Sequence, residues 1–250
     1  MRKPRGTMEA VTSRTLPPDD DRRVPAPRRG RRPTLSLDAV AAGALEILDA
    51  GGEDALTFRS LARSLETGVG SLYHYVASKD ELLDHVTDEV LGRVLAALTL
   101  PEDPYAALRA IADGLYDAMG EHRRIGSYLL RNSGMMTKSM ELFELIGSQL
   151  TALPPTDRQR LDAVDALTAY VTGVGADIHS YEATLSEVEG TPDADEIRSV
   201  ARQWAELDAE RLPFMRSVAA EFESHDNRTQ FRAGVDLILA GIERQAEAGE

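Results

Sequence analysis

From Ser36 onward apolar residues recur every three or four positions, and no stretch alternates them as a strand would. Val40, Ala44, Leu45, Ile47 and Leu48 share one face of a first helix, capped by Ser36 and ended by Gly51-Gly52. Thr57 caps a second helix carrying Phe58, Leu61, Ala62 and Leu65. Glu66-Thr67-Gly68 supplies a turn, with Gly68 expected in the left-handed region. A third helix runs from about Val69 to Val76, with Leu72 and Val76 facing inward. Ser78-Lys79-Asp80-Glu81 has the S-x-x-E spacing of a capping box. It opens a fourth helix carrying Leu82, Leu83, Val86, Val90, Val94 and Leu98, which Pro101 and Pro104 terminate.

The same period predicts helices over 104–121, 123–132, 137–151, 157–186, 193–209, 213–223 and 228–247. Gly134, Pro154-Pro155, Gly190-Thr191-Pro192, Pro213 and His225-Asp226-Asn227 mark the breaks. Two of these helices are apolar on more than one face. Helix 157–186 carries a stripe from Leu161 through Val164, Leu167, Val171, Val174 and Ile178 to Tyr181 and Leu185, with Gly173 and Gly175 open to close approach. Helix 228–247 carries Phe231, Val235, Ile238 and Ile242, with Gly234, Leu237 and Gly241 off that stripe. A helix with two apolar faces must bury both, one in its own core and the other against a second copy of the chain. The expected fold is all-α, in three parts: a disordered basic arm over 1–33, a three-helix reader over 34–80, and a larger helical bundle over 81–250 for ligand binding and dimerisation.

Composition changes this picture in one place. The net charge of −14 argues against a polyanion partner, but the charge is unevenly placed. Residues 1–33 hold ten basic residues against four acidic ones, a surplus of +6 on a chain that is otherwise −20. Six prolines keep that arm from forming a long helix, and its RRGRR run at Arg28–Arg32 stands just before the first helix. The chain has no cysteine, no apolar run long enough for a membrane span, and no apolar segment behind its N-terminal arginines. A soluble protein of the cytoplasm is expected. No G-x-S-x-G elbow, P-loop, G-x-G-x-x-G or H-E-x-x-H is present, so no enzyme activity is expected.

The segments LTFRSLARSL, GVGSLYHYV and SKDELL carry a resemblance. Through Thr57, Leu61-Ala62, Leu65, Leu72-Tyr73, Tyr75, Val76, Lys79 and Leu82-Leu83, residues 36–83 resemble the DNA-binding domain of the TetR (tetracycline repressor) family of bacterial transcription regulators. Glu66 and Thr67 depart from the glycine and small apolar residue common in that family's turn. The resemblance implies a ligand-responsive regulator, usually a repressor, that binds a palindromic operator as a homodimer and lets go when a small molecule enters its helical bundle. The third helix then enters the major groove, exposing Gly68, Val69, Gly70, Ser71, His74 and Tyr75. Thr57, Tyr73 and Lys79 match phosphate-holding positions, and Arg59 is the cation of the second helix that the family favours. Few of these side chains can make a bidentate contact to a base, so Arg31 and Arg32 of the arm join the DNA-binding set.

For the effector, expected to be apolar or aromatic, the candidate wall is Tyr116, Met119, Tyr128, Met135, Met136, Met140, Phe143, Tyr170 and Trp204. Methionines and aromatic rings make adaptable apolar surfaces. Asp177, on the row Tyr170–Gly173–Asp177, is a polar candidate, with His179 and His122 as further polar residues in apolar helices. Tetracycline-repressor-like members hold ligand partly through a metal ion, but no His/Asp spacing here supports a metal site, and no cofactor is expected. The alternative is a helical ligand-binding or interaction protein whose reader has lost sequence-specific DNA binding. Deleting residues 2–32 should weaken operator binding and flatten its salt dependence. An unchanged slope of log affinity against log salt in the truncated protein would show that the arm makes no phosphate contacts.

Overall fold

A computed structural model describes residues 35–122, 125–131, 136–151, 156–187, 194–224 and 226–248. The arm with Arg31 and Arg32, and also Met135, lie outside these residues, as do the side chains of His179, Tyr181 and Leu185. Leu35–Glu250 forms one compact unit. Among the described residues all regular structure is helical, and no helix is long and apolar enough to cross a membrane.

Helix α1 (Leu37–Ala55) starts at Ser36, whose hydroxyl accepts from the Ala39 amide at 3.1 Å. Its helical dihedrals are interrupted at Gly52, where φ is 73°. Gly51-Gly52 therefore breaks the helix as expected, although one further turn runs on to Ala55. Helix α2 (Phe58–Ser64) begins at a reciprocal capping box between Thr57 and Ser60. It ends in a Schellman arrangement. The Thr67 amide bonds the Ala62 carbonyl at 2.9 Å, and the Glu66 amide bonds the Arg63 carbonyl at 3.3 Å. The left-handed residue of that motif is Glu66, at φ 48°, and not Gly68. Gly68 is extended (φ −88°, ψ 145°) and serves as N-cap of α3 (Val69–Leu72). The third helix is thus half the predicted length, and residues Tyr73–Tyr75 continue as turns.

Helix α4 (Lys79–Ala97) opens at Ser78, which accepts from the Glu81 amide at 3.1 Å. Glu81 closes the box one residue early, accepting from the Ala77 amide at 2.6 Å. Leu82, Leu83, Val86 and Val90 of α4 pack with Val40, Ala44, Leu45 and Leu48 of α1, Leu61 of α2 and Leu72 of α3 in one core.

The remaining helices are α5 (Pro104–Glu121), α6 (Ile125–Arg131), α7 (Thr137–Thr151), α8 (Asp157–Glu187), α9 (Ala194–Ala205), α10 (Pro213–Ser217), α11 (Ala219–Glu223) and α12 (Asn227–Ala248). The predicted single helix over 213–223 is two, divided at Val218. Helix α8 packs on α5, α6, α7 and α12, whereas α9, α10 and α11 pack on one another. The core that began under α1 continues without a gap through Leu108, Ile111 and Leu115, Ile146 and Leu150, Val164, Leu167 and Val171, and Phe231 and Val235. A ladder of charge pairs closes α5 on α12: Arg109 with Asp236 at 2.6 Å, Arg232 with Asp113 at 2.9 and 3.0 Å, and Arg228 with Asp117.

A non-glycine residue in the left-handed region costs about 1–2 kcal/mol, partly offset by the greater unfolded-chain entropy of glycine. Glu66→Gly should therefore stabilise the protein by about 0.5–1 kcal/mol in urea unfolding. A destabilised variant would mean that the Glu66 side chain contributes more than its backbone costs.

Candidate nucleic-acid interface and effector cavity

Leu72 is fully buried and Val76 nearly so, which fixes how α3 is presented. What α3 turns outward is Gly68, Val69 and Gly70, all exposed, with Ser71 half-buried and His74 exposed just beyond it. A Cβ added at Gly70 would meet nothing within 4 Å. Packing within the chain therefore does not require glycine there. The Tyr73 ring is 55% exposed and stacks on Phe58 at 4.6 Å, which joins the end of α3 to the start of α2. Arg59 and Arg63 of α2 are exposed.

Three of the expected contact residues are committed elsewhere. Tyr75 is half-buried, and its hydroxyl donates to the Leu35 carbonyl at 2.6 Å. It anchors the entry to α1 instead of standing on the exposed face. The Lys79 ammonium donates to the Glu53 carbonyl at 2.7 Å and lies 3.9 Å from the Glu53 carboxylate, so its charge serves the end of α1. The Thr57 hydroxyl caps α2.

Two more polar links fasten neighbouring helices. His122, at the C-terminus of α5, is one of two buried polar side chains among the described residues, and its Nδ1 lies 2.9 Å from Asp49 of α1. Asp88 of α4 accepts from the Lys138 amide at 2.6 Å and so caps the first turn of α7. Next to His122, an open cleft of about 330 Å³ runs between α4 and α5, floored by Val90, Val94 and Leu98 and edged by Arg93, Asp117 and Glu121.

A more enclosed cavity of about 80 Å³ lies between α4, α5, α6, α7 and α8. Its walls are Leu91, Leu115, Leu129, Ser139, Leu142, Phe143, Thr168 and Thr172. Of the residues expected to hold an effector, Phe143 alone is on this wall. Tyr116 is buried against Phe231 at 4.5 Å between ring centroids, with the Arg228 guanidinium 4.9 Å from its ring. Met119 is buried where α5, α6 and α8 meet, filling the space that the missing side chains of Gly126 and Gly175 leave. Gly175 is therefore used inside the protomer, not for approach of a second copy. The Tyr170 hydroxyl donates to the Phe231 carbonyl at 3.1 Å over Gly234, and burial raises its pKa, so it stays a donor. Tyr128 is core, Met136 is half-buried ahead of α7, and Met140 is half exposed. Asp177 is exposed on α8. Trp204 stacks on Phe222 at 4.2 Å within the α9–α11 group.

The cavity walls that sequence reasoning missed are leucines and hydroxyls, the most ordinary helix residues. One signal was present: Thr168 and Thr172 are spaced by one turn and lie beside the buried Leu167 and Val171.

Comparison with known proteins follows these two regions. The family model for bacterial regulatory proteins of the tetR family matches residues 40–86, and the tetracyclin repressor-like C-terminal domain model matches residues 100–246. The chain is 31% identical over 222 residues to the HTH-type transcriptional repressor DrrR1 of Streptomyces coeruleorubidus, covering 87% of this chain and 80% of that one. Among solved structures, a TetR transcriptional regulator from Streptomyces coelicolor superposes with a TM-score of 0.73 at 34% identity, covering 85% of this chain and all of the other. The TetR family protein ActR of Streptomyces coelicolor, in complex with actinorhodin, gives 0.71 at 28% identity, covering 85% of this chain and 99% of that one.

Proposed function

The chain belongs to the TetR family of bacterial regulatory proteins, and on that premise we propose that it represses transcription in the cytoplasm as a homodimer on a palindromic operator. A small molecule held among its C-terminal helices releases it. The observation that carries the DNA-reading part is the α3 surface: a buried Leu72 anchor beneath an exposed Val69 and a Gly70 whose missing side chain no neighbour demands. A bare backbone at that point suits close approach to base edges or phosphate. Val69 offers an apolar contact to a thymine methyl, and Ser71 and His74 offer hydrogen bonds. Arg59 and Tyr73 hold phosphates, and so do Arg31 and Arg32 of the arm, which set affinity without reading sequence. Effector response is supported by the tetracyclin repressor-like match over residues 100–246 and by ActR, a relative solved with actinorhodin bound.

The face left for a second copy is on α8 and α12. Leu237 is 76% exposed and Leu161 is 45% exposed, while a Cβ at Gly173 or Gly241 would meet nothing within 4 Å. The opposite side of α12, with Phe231, Val235, Leu239 and Ile242, is buried in the protomer. Two apolar faces on one helix are what a twofold four-helix contact requires.

The function is tested by selecting duplexes from a random pool and measuring anisotropy on the winner. Wild-type protein should bind with sequence preference at physiological salt, and Gly70→Ala should fold normally yet bind roughly tenfold or more weakly, the scale of one lost base contact. Binding that shows no sequence preference would favour the alternative of a ligand-binding helical protein with a lost reader. Leu237→Glu places two like charges across the twofold, and sedimentation should show a folded monomer that no longer engages both half-sites. A Leu237→Glu protein that stays dimeric would move the dimer contact off α12.

A further inference from the structure

Asp49 stands where its own helix disfavours it. It lies near the C-terminal end of α1, just ahead of Gly51 and of Gly52, where the helical dihedrals break. A carboxylate there meets the negative end of the helix dipole, and α1 has no basic residue in its last turn to offset it. The partner comes from the bundle: His122 Nδ1 lies 2.9 Å from Asp49 Oδ2. Against an ionised carboxylate, which only accepts, Nδ1 carries the hydrogen and donates.

Both ends of that bond are firmly held. His122 is the C-cap of α5. Its amide bonds the Ala118 carbonyl at 2.8 Å, and its carbonyl accepts from the Ile125 amide of α6 at 2.9 Å. Its residue is 7% exposed, so the ring has little room to turn. Asp49 follows Leu48, which is buried in the reader's core.

The bond also lies away from the helix that joins the two parts. Helix α1 packs on α2 and α4, and α5 packs on α4, α7, α8 and α12. Helix α4 is therefore common to both, a spindle about which packed helices slide at small cost. The cleft of about 330 Å³ beside His122 keeps the end of α5 from packing closely on Val90, Val94 and Leu98 of α4. Apolar contact there opposes rotation weakly. A charge-assisted hydrogen bond set off the spindle opposes it directly, because rotation must break it.

We propose that His122 is a positioning residue for DNA reading: its bond to Asp49 fixes the angle at which the α1–α3 reader stands on the bundle, and hence the half-site separation that a dimer accepts. This rests on the dimeric operator reader proposed above and adds the residue that sets its span.

The first test needs no DNA. The chain has no cysteine, so spin labels attach only where cysteine is introduced. Ser64→Cys on α2 and Glu144→Cys on α7 use exposed positions. With the doubly labelled full chain diluted into an excess of unlabelled protein, pulsed dipolar EPR reads the reader-to-bundle distance within one protomer. Protein with His122 intact should give one narrow distance distribution. His122→Ala should broaden or shift it, and His122→Asn, whose side-chain N–H donates from nearly the same place, should restore it. Asp49→Ala breaks the bond from the reader side, at a side chain 37% exposed, and should match His122→Ala; it decides the matter should His122→Ala fail to fold. A broad distribution with His122 intact, an unchanged one in a folded alanine variant, or a change that His122→Asn leaves in place would each overturn the proposal.

The second test varies the operator. One added base pair between half-sites moves them apart by about 3.4 Å and turns one by about 35°. Unlabelled wild-type protein should prefer its selected operator over the lengthened one by roughly tenfold or more, the scale of one hydrogen bond to a charged group. His122→Ala should lose most of that preference and keep its affinity for an isolated half-site. A spacing preference that survives in folded His122→Ala protein overturns the proposal. Absence of any sequence-selective binding would instead overturn the operator reading, and the EPR distances would still decide whether the bond holds the reader.

Discussion

A helix of four residues cannot hold itself together, because helix nucleation fixes several residues for a single hydrogen bond. The reader α3 therefore exists only because Leu72 is pinned beneath it, with Val76 following at the turn. Everything about DNA reading in this chain depends on that burial. Leu72 enters a core made by Leu61 of α2, Val40, Ala44 and Leu48 of α1, and Leu82, Leu83 and Val86 of α4. Each such leucine or valine gains about 1.5–3 kcal/mol from leaving water, far more than α3 could supply from its own hydrogen bonds. Because α4 also belongs to the bundle, the orientation of the exposed Gly68–Gly70 backbone is set by a helix that lines the cavity between α4 and α8 through Leu91.

The polar contacts between helices give that mechanical route its fixed points. Glu53 and Asp49 lie near the C-terminal end of α1, and each is held by a different helix: Lys79 at the start of α4 holds the first, His122 at the end of α5 the second. Asp88, further along α4, caps α7. Apolar packing resists compression but slides at small cost, whereas a hydrogen bond is either made or lost. The links from α5 to α1 and from α7 to α4 are therefore made at defined residues, His122 with Asp49 and Lys138 with Asp88. Lys79 matched a phosphate-holding position on the strength of a sequence motif. Its ammonium also bonds the Glu53 carbonyl and so ties the start of α4 to the end of α1.

How much of this was legible depended on whether one residue or several decide a feature. Helix starts were legible because a cap is local chemistry: Ser36, Thr57 and Ser78 all cap as their spacing predicts. The buried stripes were legible for the same reason that helices have a period. The turn between α2 and α3 was misassigned because a glycine at 68 is the cheaper left-handed residue locally, yet the Schellman bonds from Thr67 and Glu66 need the positive φ two residues earlier. The cavity between α4 and α8 was legible from residue type only at Phe143. Tyr116, Met119 and Tyr170 are large and adaptable, and the fold spends those properties on filling the spaces against Phe231, Gly175 and Gly234. A cavity is left where residues are of ordinary size and their neighbours fail to reach, which is a property of several helices at once.

The charge distribution completes the physical picture. In α1 through the start of α4, the cations Arg59, Arg63 and Lys79 are outnumbered by Asp38, Glu46, Asp49, Glu53, Asp54, Glu66, Asp80 and Glu81. Lys79 is already bonded to the Glu53 carbonyl, which leaves Arg59 and Arg63 as the exposed arginines on this acidic surface. Affinity for duplex DNA scales with the number of phosphates neutralised, and a folded reader with two cations per protomer would bind weakly at physiological salt. The surplus of +6 on residues 1–33 has the sign that the reader lacks. In the function proposed above, a basic arm on an otherwise acidic chain divides the work: the arm is assigned phosphate affinity without sequence preference, and the nearly uncharged α3 face is assigned discrimination by shape, methyl contact and close backbone approach. Such a division makes total affinity strongly dependent on salt while leaving preference among sequences nearly independent of it, because the two properties reside in different parts of the chain.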